Sequence, residues 1–340
     1  MNKMAIRQNI LITGGAGFIG HHLIEYLLFE TDHDIVVLDR LDYSGNLNRI
    51  DDIVGDNPTY KERVRIVYHD LRAEINPTIE RLLGSINYIF HLAAGSHVDR
   101  SIEDPLSFVY DNVVGTCNIL NYARTLSNLQ KFLYFSTDEI FGPAPEGINY
   151  KERDRYNSTN PYSATKAGAE ELCVAFENTY QMPIVITHTM NVIGERQHPE
   201  KFVPLCIKKA LLGETIEIHS NADRTQAGSR FYIHAKDVAE AIWMVANNAF
   251  YCGPDAGGAK VPKFNIVGAT EIDNLSLATM IAQAAGKPLK FDLIDFHSSL
   301  RICRLVSQGS WCILSSYPDT APRRSGTHAC PIPLQHPFSS

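Results

Sequence analysis

The first half of the chain alternates short apolar runs with longer stretches of helical period. Within each apolar run the hydrophobic positions are consecutive, which is typical of strands buried on both faces of a parallel sheet. After the first run, Ile19, Leu23 and Leu27 recur at the spacing of one helix face. The predicted strands are residues 9–13, 35–38, 65–68, 88–92 and 132–135. This order of elements predicts an α/β fold with a Rossmann-type, doubly wound parallel sheet.

A glycine-rich turn follows the first predicted strand. Gly15, Gly17 and Gly20 satisfy the spacing G-x-G-x-x-G before a helical stretch, which permits a tight turn and close approach of backbone N–H groups to a pyrophosphate. The second strand ends in Asp39, at about the twenty-residue offset where an acidic side chain holds the adenosine ribose. Its charge repels a 2′-phosphate, so the sequence predicts NAD rather than NADP, although the adjacent Arg40 argues the other way.

Candidate chemistry lies where the fifth predicted strand ends. Residues 136–142 read Ser-Thr-Asp-Glu-Ile-Phe-Gly, and open α/β sheets bind ligands at the carboxyl ends of their strands. Neighbouring carboxylates repel, so either Asp138 or Glu139 is pushed towards its protonated form, which favours an acid beside a base. The alternative is an ordinary polar exit from the strand with both carboxylates in solvent.

A tyrosine and a lysine four residues apart begin the helical stretch after Pro161. Tyr162 and Lys166 therefore share one helix face. A free tyrosine has a pKa of about 10, so proton transfer near neutrality needs a nearby cation, and we expect Lys166 and the nicotinamide charge to lower the pKa of Tyr162. Tyr232 and Lys236 have the same spacing but receive a structural interpretation, because they do not follow a cofactor-side strand.

Other strand ends supply further candidates. Asp70 is placed to meet adenine, and the small residues 93–96 let a cofactor lie close to the strand ends. His91 is interpreted as a core residue. Asn112, near the start of a predicted helix, is expected to bind backbone across the sheet.

Composition narrows the class of protein. The net charge of -7 and the pI near 6.0 show no basic excess for nucleic acid. Seven cysteines occur without a Cys-x-x-Cys pair, which fits a reducing compartment better than a disulfide framework. No apolar run reaches membrane-spanning length. We therefore expect a soluble cytoplasmic protein with no membrane or nucleic-acid partner and no metal site.

Taken together, these motifs resemble the extended short-chain dehydrogenase/reductase superfamily. The superfamily motifs are residues 13–20, Asp39, residues 91–94 and Tyr162-x-x-x-Lys166. A narrower likeness is to nucleoside-diphosphate-glucose 4,6-dehydratases, especially the dTDP-glucose enzymes, and it runs from about residue 8 to about residue 298. The dehydratase-like segments are residues 38–46, 96–102, 136–139 and 199–201.

The resemblance implies a redox-neutral dehydration that uses bound NAD. Tyr162 would take the proton of the sugar 4-hydroxyl, and Thr137 would hydrogen-bond the 4-oxygen. Glu139 would then remove the C5 proton while protonated Asp138 gives its proton to the departing 6-hydroxyl. The hydride returns to C6, and a 4-keto-6-deoxy sugar results.

The resemblance also implies two sets of contacts and an assembly. The expected partner is a nucleotide-sugar substrate, and the expected assembly is a homodimer formed through two helices of each subunit. The predicted cofactor contacts are Gly14, Gly17, Phe18, Ile19, Gly20, Asp39, Arg40, Asp42, Asp70, Leu71, Ala93, Ala94, Ser96, Asp111, Tyr162, Lys166 and Val192. The predicted substrate contacts are Ser96, Thr137, Asn191, Lys201, Phe202, Arg230 and Asn265.

Three positions depart from the dehydratase pattern. Gly95 stands where the family often has Glu, Val192 where it has a second Asn, and Phe231 where an Arg-Asp tract would continue. The alternatives are therefore an epimerase or decarboxylase of the same superfamily, or an NAD-binding protein made inactive by an altered C-terminal substrate region.

Three segments are expected along the chain. Residues 1–190 would form the NAD-binding Rossmann domain, and residues 191–298 a smaller α/β sugar-nucleotide-binding domain that is partly interleaved with the first. Residues 299–340 contain one acidic residue, Asp319, and three cysteines, with no sustained helical or strand period. We interpret them as an atypical tail, either disordered or translated out of frame.

Overall fold

The computed structural model describes residues 7–144, 148–248 and 261–295. The segment interpreted as an atypical tail, residues 299–340, lies outside the described residues. The strands are β1 (Asn9–Thr13), β2 (Asp34–Asp39), β3 (Val64–Tyr68), β4 (Tyr88–His91), β5 (Lys131–Thr137), β6 (Ile184–Thr189), β7 (Val192–Ile193), β8 (Ile216–Ser220), β9 (Ser229–Phe231), β10 (Ile233–His234), β11 (Lys263–Ile266), β12 (Glu271–Asp273) and β13 (Phe291–Asp295).

Helices connect and cover these strands. They are α1 (Phe18–Glu30), α2 (Asn48–Val54), α3 (Pro58–Arg63), α4 (Pro77–Leu83), α5 (Val98–Glu103), α6 (Pro105–Phe108), α7 (Gly115–Ala123), α8 (Pro161–Tyr180), α9 (Phe202–Leu212), α10 (Ala235–Asn247) and α11 (Asn274–Ala284). A π-helical turn spans Val109–Val114 and a 3₁₀ turn spans Asp138–Phe141.

The centre of the fold is a seven-stranded sheet in the order β11-β6-β5-β4-β1-β2-β3. All its pairings are parallel, so the predicted α/β class with a doubly wound parallel sheet is confirmed. Strand order reverses between β1 and β4, and the carboxyl ends on either side of such a reversal form the ligand crevice of this fold.

Apolar layers cover both faces of the sheet, as consecutive hydrophobic positions in the strands require. On one face, Leu23 and Leu27 of α1 pack in one cluster with Val238 and Ile242 of α10. On the other face, Ile119 and Leu120 of α7 and Cys173 of α8 belong to a second cluster. The central strands are therefore fixed from both sides, and their ends form a rigid platform.

The chain after residue 190 contributes to two structural layers. Strand β11 joins the main sheet beside β6, and α10 packs against α1. In contrast, β8 and β13 form a separate parallel pair, and Cys206, Ile216, Ile218 and Ala278 build a small core between them and the helices α9 and α11. Of the described elements after residue 190, β11 and α10 thus belong to the main sheet and its cover, whereas β8, β13, α9 and α11 pack with one another.

Local signals set the start of α8, the longest described helix. Pro161 occupies its first turn, and the Asn160 side chain accepts a hydrogen bond from Ser163 N at 2.8 Å while the Ser163 hydroxyl lies 3.3 Å from the Asn160 N–H. This reciprocal cap fixes the helix that carries Tyr162 and Lys166. Among the described residues, no helix is both long enough and apolar enough to cross a membrane.

Candidate active site

One cavity of about 780 Å³ lies at the carboxyl ends of the sheet strands and extends towards α9, β8 and β9. It is lined by all the predicted catalytic and cofactor-binding residues. It is also lined by every predicted substrate contact except Asn265. The structure therefore brings together side chains that are widely separated in sequence.

Glycines shape the floor of this cavity next to β1. Gly14 has φ of +71°, and a Cβ there would lie 2.8 Å from the backbone nitrogen of Ala93. A Cβ on Gly20 would lie 2.4 Å from the carbonyl oxygen of Gly14. Gly17 occupies the N-cap of α1, so the positive end of that helix faces the cavity with no side chain in the way. A cofactor pyrophosphate fits this backbone cradle.

Asp39 organises the turn beside the glycines. Its carboxylate accepts hydrogen bonds from the N–H groups of Ala16 at 3.1 Å and Leu41 at 2.8 Å. Burial raises the pKa of Asp39, and these two N–H donors oppose that rise. The carboxylate is thus held at the edge of the cavity, where an adenosine ribose would bind.

Arg40, the cation that argued for NADP, is held by carboxylates. Its guanidinium donates to both oxygens of Asp111, at 2.5 and 2.8 Å, and to Asp42 at 2.7 and 3.0 Å. Asp111 and then Asp42 raise the pKa of Arg40, and Asp70 lies 3.7 Å from its guanidinium. The local charge is therefore negative overall, which disfavours a 2′-phosphate. Asp42 and Asp111, predicted as cofactor contacts, line the cavity as partners of Arg40.

Two buried polar residues brace the neighbouring strand ends. The ring of His91 lies between the hydroxyls of Thr13 at 2.7 Å and Thr116 at 2.9 Å, and burial lowers its pKa to about 3. Asn112 binds both the N–H and the carbonyl of Gly95, at 2.8 and 3.1 Å. Both therefore have the structural roles predicted from sequence.

At Gly95, where the dehydratase pattern often has Glu, the structure leaves little room for a side chain. A Cβ on Gly95 would lie 3.0 Å from the ring of Phe108 and 3.4 Å from the Asp111 carboxylate. A glutamate at this position would have to displace the aromatic ring and place its charge beside another carboxylate.

The two carboxyl groups after β5 lie at the wall of the cavity. Asp138 is 7% exposed, and burial, followed by the charge of Glu139, raises its pKa to about 7. Thr137 Oγ1 donates to Asp138 at 3.2 Å and accepts from the Glu139 N–H at 3.3 Å. Burial also raises the pKa of Glu139, and Asn160 donates to its carboxylate at 3.0 Å. A solvent-exposed strand exit is therefore excluded.

Tyr162 and Lys166 lie on the face of α8 next to β5. Tyr162 bonds to the Thr137 side chain, yet burial and the charge of Glu139 raise its pKa. Lys166 Nζ donates to the carbonyl of Phe135 at 2.6 Å, and burial lowers its pKa to about 8. Lys166 is therefore directed to the backbone of β5, and the predicted lowering of the Tyr162 pKa by Lys166 together with the nicotinamide charge stays a prediction.

The part of the cavity lining that comes from the chain after residue 190, here called the cationic wall, carries cationic side chains. Lys201 and Arg230 belong to it, and their charges lower the pKa of Glu139 against the effect of burial. Asn191, with φ of +39°, and Phe202 also line the cavity. This wall can offer positive charge to an anionic group.

Asn265 is the one predicted substrate contact that the structure does not bring to the cavity. It lies on β11, 4% exposed, and its Oδ1 is 3.0 Å from Nδ1 of His188. The packing of β11 beside β6 directs this amide into the interior. Its assignment as a substrate contact is therefore not supported by the geometry.

Sequence reasoning missed two residues that support the acid pair. Asn160 was a detectable helix cap, because it precedes Pro161 at the start of a helical pattern, but its bond to Glu139 could not be read from spacing. Ser136 donates to Glu170 at 2.7 Å, across 34 residues of sequence. Within the described ranges, no group of three or more His, Cys, Asp or Glu side chains is arranged to hold a metal ion.

Comparisons with known proteins add an independent finding. A model of the NAD dependent epimerase/dehydratase family matches residues 10–253. The low-salt glycan biosynthesis protein Agl12 of Haloferax volcanii is 36% identical over 281 residues, covering 82% of this chain and 83% of that protein. The dTDP-glucose 4,6-dehydratase of Neisseria gonorrhoeae is 34% identical over 286 residues, covering 81% and 77%.

A solved structure agrees over nearly the same range. DesIV, a dTDP-glucose 4,6-dehydratase from Streptomyces venezuelae with NAD and TYD bound, has a TM-score of 0.76 and 29% sequence identity. The match covers 88% of each chain. The similarity therefore extends through both the sheet and the part of the chain that carries the cationic wall.

Proposed function

Because the chain belongs to the NAD-dependent epimerase/dehydratase family, we propose that it dehydrates a nucleoside-diphosphate glucose, dTDP-glucose, to the 4-keto-6-deoxy sugar. The superfamily resemblance and the NAD prediction are both confirmed. The observation that carries the finer proposal is Asp138, a buried carboxyl group whose pKa is raised to about 7 beside the second carboxyl group of Glu139.

The cofactor fits the cradle between β1 and α1. Gly14, Gly17 and Gly20 would hold the pyrophosphate, and Asp39 the adenosine ribose. When bound, NAD⁺ accepts a hydride from the sugar C4 and returns it at C6. The Lys166 ammonium, fixed by the Phe135 carbonyl, lies on the helix face that would meet the nicotinamide ribose.

Tyr162 acts on the sugar 4-hydroxyl as the base of the first step. Its hydroxyl already bonds to Thr137, which orients both groups towards one oxygen atom of a bound sugar. Burial and Glu139 raise the pKa of Tyr162 although Lys201 and Arg230 line the same cavity. The proton transfer therefore requires a further positive charge, which an oxidised nicotinamide would supply.

Asp138 and Glu139 divide the elimination between them. Asp138 retains its proton up to about pH 7, so it can protonate the departing 6-hydroxyl at neutral pH. Glu139 lies near Lys201 and Arg230, whose charges favour its ionised form, so it can remove the C5 proton. Different surroundings thus give two neighbouring carboxyl groups opposite tasks.

The acid at Asp138 distinguishes dehydration from epimerisation. An epimerase of the same family needs the cofactor cradle and the Tyr162 and Lys166 pair, but it has no leaving hydroxyl to protonate. Burial of an ionisable carboxyl group costs stability, so Asp138 is explained by elimination rather than by oxidation alone.

A product assay tests this proposal. The purified holoprotein is incubated with dTDP-glucose without added reductant, and the sugar is analysed by NMR spectroscopy. A 4-keto-6-deoxy product is expected. A 4-epimer would instead support an epimerase, and unchanged substrate beside bound NAD would contradict catalysis on this sugar. Parallel reactions with UDP-glucose and GDP-glucose identify the nucleotide by their kcat/KM values.

We also propose that the protein is a homodimer. Side chains of α5, α6 and the following π-helical turn expose apolar surface, with exposed fractions of 61% for Ile102, 60% for Leu106 and 47% for Tyr110. Such grouped apolar side chains indicate an interface. Light scattering coupled to size exclusion is expected to give twice the monomer mass, and Leu106→Asp is expected to lower it. A monomeric wild type would contradict the dimer.

A further inference from the structure

A fully buried carboxylate lies beside the strand end that carries the acid pair. Glu170 of α8 is 0% exposed and accepts hydrogen bonds from Ser136 Oγ at 2.7 Å, Lys263 Nζ at 2.8 Å and the Tyr156 hydroxyl. His188 Nε2 lies 3.1 and 3.2 Å from its two oxygens. A buried charge persists only where partners compensate it, and these partners come from β5, β6, β11 and the segment before α8.

Glu170 continues the face of α8 on which the proposed base lies. Tyr162, Lys166 and Glu170 follow one another at intervals of one helical turn. The three side chains contact three consecutive residues of β5. The contacting pairs are Tyr162 with Thr137, Lys166 with Phe135, and Glu170 with Ser136. One face of α8 therefore makes all three of these contacts with the end of β5.

The end of β5 connects this contact to the acid pair. Ser136 and Thr137 are consecutive residues there, and both side chains contact α8, Ser136 through Glu170 and Thr137 through Tyr162. Thr137 in turn contacts Asp138 and the N–H of Glu139. A restraint on Ser136 therefore also restrains the backbone that carries Thr137, Asp138 and Glu139.

We propose that Glu170 is a positioning residue for the dehydration, which holds the end of β5 through Ser136 so that Thr137 and Asp138 keep their contact. This rests on the proposed function. Glu170 itself does not line the cavity, so it acts through Ser136 and not on the substrate. The Lys263 ammonium and the His188 ring keep the carboxylate in place at this depth.

Two variants of the holoprotein separate positioning from stability. Ser136→Ala removes the hydroxyl that joins β5 to the Glu170 carboxylate. Tyr156→Phe removes a different hydroxyl that donates to the same carboxylate, from the segment before α8. Both should lower Tm to a similar extent. Ser136→Ala is expected to lower kcat about 10- to 100-fold with little change in KM, since small displacements of catalytic groups have effects of this size. Tyr156→Phe should retain kcat within about threefold.

A substrate-free measurement keeps this test independent of the proposed activity. The carboxyl group of Asp138 is titrated by ¹³C NMR, with Asp138→Asn to assign its resonance. Ser136→Ala is expected to shift the Asp138 titration to lower pH, because a loosened strand end admits water, while Tyr156→Phe leaves it unchanged. An inactive wild type refutes the dehydratase proposal alone. Equal behaviour of the two variants, or an unaltered Asp138 titration in Ser136→Ala, overturns the positioning role.

Discussion

Asp138→Asn should stabilise the folded protein at alkaline pH even as it removes the proposed acid. Folding raises the pKa of Asp138 from 3.8 to about 7, mainly through burial. The folded state therefore binds this proton more tightly than the unfolded state does, and ionisation destabilises the fold. The penalty is absent below about pH 4, grows as the pH rises towards 7 and is constant above that.

The size of the effect follows from the shift. A difference of about 3 pKa units corresponds to about 4 kcal/mol, which is the upper bound for the gain in the free energy of unfolding at pH 8. At pH 5 only the interval from 3.8 to 5 contributes, which gives about 2 kcal/mol. The amide keeps the shape of the carboxyl group and carries no charge to desolvate, so the pH-dependent part of the penalty disappears.

Urea unfolding of both proteins at pH 5 and pH 8 measures this difference. The advantage of Asp138→Asn over the wild type is expected to grow by about 2 to 3 kcal/mol between these pH values. Asp56→Asn is the matched control, because the Asp56 side chain is fully exposed and should give no comparable pH-dependent change. An advantage of Asp138→Asn that is equal at both pH values would refute the raised pKa on which the acid role depends.

Two further predictions concern catalysis and cofactor retention. In single-turnover reactions, elimination should slow as the pH rises through about 7, because Asp138 loses its proton. The Asp138→Asn variant should show no such pH dependence, and it should slow elimination more than C4 oxidation. An equal loss of rate in both steps would argue against the acid role of Asp138. Gly14→Ala should release bound NAD while Gly213→Ala retains it, as measured from the absorbance of acid-released cofactor. Both glycines have a positive φ, +71° for Gly14 and +68° for Gly213. A Cβ on Gly14 would lie 2.8 Å from the backbone nitrogen of Ala93, whereas a Cβ on Gly213 would meet no atom within 4 Å.

The sheet was predictable because its signal is local. Consecutive apolar residues gave β1 with its observed bounds and placed β2 and β5 within three residues of theirs. The helix expected to open near Asn112 instead belongs to a helical segment that begins with α6 at Pro105 and passes through the π-helical turn Val109–Val114 into α7. Helical periodicity does not separate a π-helical turn from an α-helical one over six residues, so the true start was hidden.

The site was predictable in part for the same reason. The glycine cradle and Asp39 lie within one strand-turn-helix unit, whose spacing determines their geometry. The pairing of Arg40 with Asp111 spans 71 residues, and the bond between Glu170 and Lys263 spans 93. Such contacts depend on how strands and helices pack. They occur at no fixed spacing, so they cannot be predicted from the pattern of a single sequence. Nearly all the site residues predicted from sequence therefore line the cavity, but the pairings that set their charge were not predicted.

In the proposed mechanism, burial has opposite consequences for the acid and the base. It raises the pKa of Asp138 to about 7, which keeps this carboxyl group largely protonated below neutral pH before any ligand binds. The same burial raises the pKa of Tyr162, and the carboxylate of Glu139 raises it further, although Lys201 and Arg230 line the same cavity. The Lys166 ammonium is directed to the Phe135 carbonyl. In the proposed first step, proton removal by Tyr162 is therefore tied to the charge of an oxidised cofactor, whereas the proposed protonation by Asp138 depends on the fold alone.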